Sequence, residues 1–369
     1  MFPILNLTGN AFQRGRAHGV QARVQVAGSV RNYKALFAAC GIDWTTAQRR
    51  AERFRDIIAG CGDLVDEIEG IANGSGFQVN EILVLNCRTE ILPPTFLGAH
   101  NANASVDAGE CTSFAIDGTR CADGHTRVAQ NWDWIGSQRN NVIILCVKHD
   151  DGNPWPDYLT ITEAGIIAKI GVNEHGVGIG LNILRADNDR ETLGIPVHIF
   201  QRLALDCKSV DDVTALAKSL KFAASSNAIL GDATGNVASL EYGPNGAAVI
   251  ESDQGVVAHT NHFCDMELAK HQAPLDAMIT TEPRLARANA HITGWPDHVT
   301  TINMTTLLRD ETGGGEHGKF GAICRSPDPS LVPELQIESI FGVIINCNQR
   351  EMLIAPDIPS RAEFQSVAL

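Results

Sequence analysis

Residues 109–118, GECTSFAIDG, and 127–134, RVAQNWDW, carry the reading of this chain. The first run follows a small, polar stretch, LGAHNANASVDAG at 97–109, of the composition found in exposed connections. At Cys111 the texture changes to short alternating strands, with turn signals at Asp117-Gly118 and Asp123-Gly124. Cys111 is thus the first strong strand residue after a flexible segment. If the peptide bond before it were cut, Cys111 would gain an α-amino group of pKa about 7.7–8.0, a general base beside its own thiol. The competing reading of the same position is a buried structural thiol.

On the N-terminal side the pattern is helical, over 12–36, 45–72 and 80–90, with breakers at 73–76. On the C-terminal side we expect strands near 111–117, 126–131, 141–148, 158–162, 165–172 and 177–183. Helices near 195–206 and 209–220 follow, then strands at 226–231, 236–242, 246–251 and 255–260. Helices at 281–292 and 303–308 lead to a final hairpin, 338–346 and 351–355. Two strand sets with helices between and after them predict stacked sheets covered by helix layers, an α+β fold. The expected organisation is a helix-rich segment, 1–110, and a catalytic part, 111–369.

With 43 acidic and 29 basic residues in 369, the formal net charge is −14, which disfavours phosphate backbones and anionic membranes as partners. No apolar run has the roughly 20 residues that span a bilayer. The start, MFPILNLTGN, lacks the basic and apolar regions of a signal peptide, so the cytoplasm is the expected location. None of the ten cysteines has CxxC spacing, which speaks against a zinc ribbon or a thioredoxin-like pair.

The two opening runs resemble the cleavage site and first hairpin of the acyl-coenzyme A:6-aminopenicillanate acyltransferase family. That family belongs to the N-terminal nucleophile hydrolases and is related to bile salt hydrolases and penicillin V acylases. The resemblance continues in order through EGIANGSGFQVNEILVLNCRTE (69–90), GVNEHGVGIGLNIL (171–184), SSNAILGDATGNVASLEYGP (225–244), HTNHF (259–263) and EPRLARA (282–288). It implies a four-layer αββα sandwich and a self-processing enzyme. Cys111, exposed by cleavage after Glu110, would be the nucleophile, and acyl transfer would run through its thioester. Asp133 would lie beside the nucleophile's amino group. Asn261 would donate to the oxyanion, Asn182 would be a second donor, and Arg284 would sit near the active site.

The resemblance departs at two positions. Glu110 stands where the penicillin acyltransferase has Gly, and Gln130 where bile salt hydrolases have an Arg three residues before the Asp. A charge at the site must then come from elsewhere, or the site uses a neutral donor. The implied substrates are small acyl amides or acyl thioesters, with water or an amine as acceptor; no cofactor or metal is expected. A hydrolase of N-acyl or β-alanyl amides of small amines, and a binding member that never cleaves, stay open as alternatives. The two cleaved chains would remain associated, and a homo-oligomer stays open too. His259 and His262 read as packed or partner-bonded histidines, because no HExxH-like spacing accompanies them.

Overall fold

The structure is a computed structural model of the continuous chain, and it describes residues 1–93, 111–150, 152–275, 280–332 and 336–369. The Glu110 side of the expected cleavage site, and most of the connection before it, lie outside the described residues.

The strands are β1 (Ile4–Leu7), β2 (Cys111–Ile116), β3 (Arg127–Ile135), β4 (Val142–Val147), β5 (Tyr158–Glu163), β6 (Ile170–Asn173), β7 (Gly178–Ile183), β8 (Ser226–Gly231), β9 (Val237–Gly243), β10 (Gly246–Glu251), β11 (Val256–His259), β12 (Ile337–Asn346), β13 (Glu351–Ala355) and β14 (Gln365–Ala368). The helices of the N-terminal part are α1 (Ala11–Gln21), α2 (Arg23–Ala39), α3 (Trp44–Glu52), α4 (Arg55–Ala59), α5 (Leu64–Ser75), α6 (Val79–Asn86) and α7 (Arg88–Ile91). Later come α8 (Val197–Ala204), α9 (Val210–Ser219), α10 (Thr281–Thr293) and α11 (Thr301–Leu308).

One sheet has eight strands in the order β1-β4-β5-β6-β7-β8-β9-β10, the other six in the order β11-β2-β3-β12-β13-β14. They pack face to face through β2, β3 and β11 against β7, β8 and β9. Helices α2 and α9 lie on strands of the larger sheet, and α10 and α11 lie on the smaller. This is the αββα sandwich. Among the described residues no helix is long and apolar enough to cross a membrane.

The period-2 pattern of β2 sorts its side chains between two cores. Cys111 and Ala115 belong to the large core between the sheets, whereas Phe114 and Ile116 pack with Ala288, Met304 and Leu308 beneath α10 and α11. On β7 the alternation Gly178-Ile179-Gly180 puts glycine on the face toward the second sheet. A Cβ on Gly180 would stand 2.5 Å from Gln130 Oε1, so the glycine lets the sheets approach closely enough for the side chain of Gln130 to cross the gap.

Several elements differ from expectation: β14 was not expected, and the helices expected over 12–36 and 45–72 are divided into α1 and α2 and into α3, α4 and α5. The helix-rich N-terminal segment begins with a strand, β1, which pairs in parallel with β4 in register Ile4↔Ile144. The strand expected over 165–172 is only Ile170–Asn173. Gly165 takes φ +97°, and the neighbouring backbone is bonded to the N-terminal helices instead of to a strand. Gly165 N–H donates to His18 Nε2 at 3.0 Å, and Asn86 bonds Gly165 O and Ile167 N–H at 2.8 and 3.1 Å. Burial pushes the His18 imidazole down to about 3, so it stays a neutral acceptor.

Candidate active site

Cys111, fully buried, opens β2 opposite Trp132 of β3. Its main chain is held at both ends. The N–H donates to Asn261 Oδ1 at 3.1 Å, and the C=O accepts Arg284 Nη1 at 2.5 Å. Arg284, buried in the first turn of α10, also donates through Nη2 to Asn261 Oδ1 at 2.8 Å and through Nη1 to Thr112 Oγ1 at 3.1 Å. A planar guanidinium with five N–H donors suits this task, because it fixes several oxygens in one geometry.

Asn261 lies two residues past the end of β11. Its amide orientation is set by its partners: Oδ1 faces two donors, and Nδ2 donates to Ile183 O at 3.0 Å. Its own N–H donates to Thr281 Oγ1 at 2.7 Å, which ties the loop to the start of α10. Cys111, Asn261 and Arg284, far apart in sequence, are thus in direct contact.

The other expected residues are placed around this trio. Asn182 Oδ1 accepts from Ser113 Oγ at 2.6 Å and from Asn227 Nδ2 at 3.0 Å, while its Nδ2 donates to His259 O at 3.4 Å. Its side chain therefore spans the sheets beside Ser113, two residues along from Cys111. Asp133 is one residue past the Cys111 partner on β3, and its Oδ1 accepts from Ser339 Oγ at 2.6 Å. In this continuous chain the Cys111 N–H points to Asn261, and the described bond of Asp133 is to Ser339. Gln130 accepts from Leu181 N–H at 2.8 Å and donates to Leu181 O, so it serves as an inter-sheet clasp.

A charge is present nearby, at a residue that sequence reasoning missed. Lys169 is fully buried, with Nζ 3.5 Å from the centroid of the Trp132 ring and 2.5 Å from Glu163 Oε2. Trp132 is the ladder partner of Cys111, which places this lysine on the face of the sheet that carries the Cys111 side chain. Burial pushes the Lys169 amine down to about 7; Glu163 and the Cys111 thiol act in the opposite direction. Burial alone would raise the Glu163 carboxyl, but the Lys169 and Arg88 cations outweigh it and hold it well below the usual carboxylate range. Glu163 also accepts from Tyr33 Oη at 2.5 Å and Gln138 Nε2 at 2.7 Å. A signal was available: a lone lysine inside the apolar run GIIAKIGV, 165–172. A recess beside the trio is lined by Trp134, Ile183, Leu92, Arg185 and Arg190.

The site sits on the seam of the αββα sandwich, at the first residue of the inner strand β2. A family model described as Acyl-coenzyme A:6-aminopenicillanic acid acyl-transferase matches residues 121–318, and the chain belongs to that family. The matched span holds Asp133, Asn182, Asn261 and Arg284 and begins after Cys111. Among curated proteins, the chain is 32% identical over 200 residues to the acyl-coenzyme A:6-aminopenicillanic-acid-acyltransferase 40 kDa form of Emericella nidulans. That match covers 53% of this chain and 51% of the relative, so the chain spans about half the length of the curated relative it matches. Among solved structures, a mutant of conjugated bile acid hydrolase from Clostridium perfringens is similar at 14% identity and TM-score 0.49, over 70% of this chain and 92% of that one. Penicillin V acylase from Agrobacterium tumefaciens is similar at 15% identity and TM-score 0.44, over 66% and 82%.

Proposed function

We propose that this protein is a self-processing cysteine enzyme that transfers or hydrolyses the acyl group of a small amide or thioester through a Cys111 thioester. The observation that carries this reading is the grip on the Cys111 main chain, with N–H on Asn261 and C=O on Arg284. A structural thiol needs no such grip. A residue whose own backbone takes part in chemistry does.

In processing, the Cys111 sulfur attacks the carbonyl carbon of residue 110, a C–S bond forms and the C–N bond breaks. The proton goes to the leaving nitrogen, which becomes the α-amino group of Cys111. Water then hydrolyses the ester-like link and frees the thiol. Lys169, over the Trp132 ring on the same face of the sheet as the Cys111 side chain, favours thiolate character in its protonated form. After cleavage the new amine is the base, and Asp133, near the new terminus, orients it. Asn261 Nδ2 donates to the tetrahedral oxyanion, Asn182 keeps the seam beside it in register, and Arg284 holds Asn261.

Cleavage gives chains of 110 and 259 residues, about 12 and 28 kDa. They stay together, because the first chain contributes β1 to the large sheet and buried links to the second. These links include Glu90 Oε1 accepting from Val197 N–H at 2.8 Å and Arg88 pairing with Glu163 at 3.4 Å.

The acceptor is water or an amine, and acyl-coenzyme A thioesters are candidate donors by family likeness. The test is a screen of aryl amides and acyl thioesters, each with and without a primary amine, followed by acid quench and peptide mass analysis. The expected result is an acyl adduct on Cys111 whose lifetime shortens when amine is added. Turnover that persists in Cys111→Ala would remove Cys111 from the chemistry.

A further inference from the structure

The segment that supplies Asn261 also holds a second cysteine in unusual company. Cys264 is exposed, three residues beyond Asn261. Its Sγ lies 4.0 Å from His262 Nε2, and Sγ, a His259 ring nitrogen and a Glu241 oxygen lie within 4.8 Å of one another. Each neighbour is fixed. His259, fully buried on β11, has Nε2 2.7 Å from Glu241 Oε1 and Nδ1 2.9 Å from Thr260 O. A carboxylate and a carbonyl both accept, so both ring nitrogens carry protons and the ring is an imidazolium. His262 is turned by Thr281 Oγ1, 3.0 Å from its Nδ1, so that Nε2 faces the sulfur.

We propose that Cys264 is a second nucleophilic thiolate of this protein, a surface site of S-modification by hydroperoxides and soft electrophiles, held in place by the His259 imidazolium and His262. The opposing charges are accounted for. Glu241, on β9, spends Oε1 on His259 and the Cys264 N–H at 2.6 Å, and Oε2 on the Asp265 N–H at 3.1 Å. Asp265 turns Oδ1 to the Glu267 and Leu268 N–H groups at 3.0 and 2.9 Å, and Glu267 pairs with Lys270 on the surface. Burial alone would raise the Cys264 thiol, but His259 and His262 outweigh it and bring it down to about 6. About nine-tenths of it is then thiolate at neutral pH. Burial alone would lower His259, but Cys264 and Glu241 push it up to about 10.

The chemistry balances. The thiolate attacks the terminal oxygen of a hydroperoxide, an S–O bond forms and the O–O bond breaks. The sulfur loses two electrons to become a sulfenic acid. The departing alkoxide or hydroxide takes a proton from solvent or the neighbouring imidazole. With iodoacetamide, an S–C bond forms and iodide leaves.

The test uses the full-length protein as purified. Timed iodoacetamide pulses from pH 5 to 9 are followed by peptide mapping, which separates Cys264 from every other thiol. We expect Cys264 to label with a midpoint near pH 6, while half-buried Cys40 and Cys61, whose thiols burial pushes up, need a higher pH. His262→Gln should slow Cys264 labelling at pH 6 by about tenfold. Hydrogen peroxide followed by dimedone should tag Cys264, which peptide mapping reads separately from Cys111. A labelling midpoint above pH 8 in the wild type would overturn the proposal. So would equimolar zinc that protects Cys264 and is lost in Cys264→Ser, because the same donors would then be a metal site.

Discussion

Asn261 links two cysteines that are held in opposite ways. At Cys111 the nearest polar groups grip the main chain: Asn261 takes its N–H and Arg284 its C=O. At Cys264 the imidazole of His262 faces the sulfur itself, with His259 close behind. One residue is buried between sheets and the other is exposed. Surroundings that fix a peptide suit a residue whose own backbone reacts and which gains its base only on cleavage. Surroundings that fix charge on sulfur suit a thiol that is reactive as soon as the chain folds. Reactivity of a cysteine is thus read from which of its atoms the neighbours hold, more than from burial alone.

The sharpest way to break this contrast is to remove the buried lysine over Trp132, on the Cys111 face of the sheet. Lys169→Met leaves Glu163 buried with one partner fewer, and unfolding free energy should fall by about 3–5 kcal/mol in urea titration. The pH dependence has a defined sign. Glu163 is held below its ordinary value when folded, so its stabilisation is present above the unfolded value of 4.5 and is lost as pH falls from there through the folded value. Glu163→Gln should flatten that acid limb. Loss under about 1 kcal/mol in Lys169→Met would mean the network carries no net charge pairing.

Asn261→Ala removes both the proposed oxyanion donor and the acceptor of the Cys111 N–H. In matured protein kcat should drop about 10²–10³-fold with a smaller change in KM. A rise in KM alone would make Asn261 a substrate contact. Asp133→Asn should slow both maturation and turnover by about tenfold, the cost of weakening one charge-assisted hydrogen bond. Unchanged maturation, followed by gel densitometry, would limit Asp133 to its bond with Ser339. Smallest of all, Cys264→Ser should leave acyl turnover within about twofold, since the described contacts of Cys264 run to His262 and Glu241 and not to the groups that grip Cys111. A larger loss would join the two cysteines into one machine.

Much of the architecture was legible in the sequence. The alternating pattern of CTSFAI and RVAQNWDW put the hairpin in place, and VIILCV at 142–147 reads as a strand buried on both faces. Four-residue β1 and β14 were not legible, because neither has enough length for a period, and β1 is defined by its distant partner β4. Helix packing was equally hidden. Gly15 and Gly19 of α1 meet Gly70 and Gly74 of α5 so closely that a Cβ at any of them would clash with the facing backbone. As sequence these glycines look like helix weaknesses. At the site, the family resemblance pointed to Cys111, Asn261 and Arg284, but their contacts join residues 150 and 173 positions apart and needed the fold. Lys169 and Cys264 were passed over because a single lysine or cysteine has no motif. Their meaning comes from Trp132, Glu163, His259 and His262 around them.

The central claim is that Cys111 becomes a chain terminus by its own chemistry. Intact mass of freshly purified wild type and Cys111→Ala, with sequencing of any new amino terminus, tests it most directly. The expected result is two co-purifying wild-type chains of about 12 and 28 kDa, the larger beginning at Cys111, and a single uncut Cys111→Ala chain with the wild-type circular dichroism. A wild type that stays one chain and still turns over substrate, or a Cys111→Ala chain cut at the same bond, would contradict it.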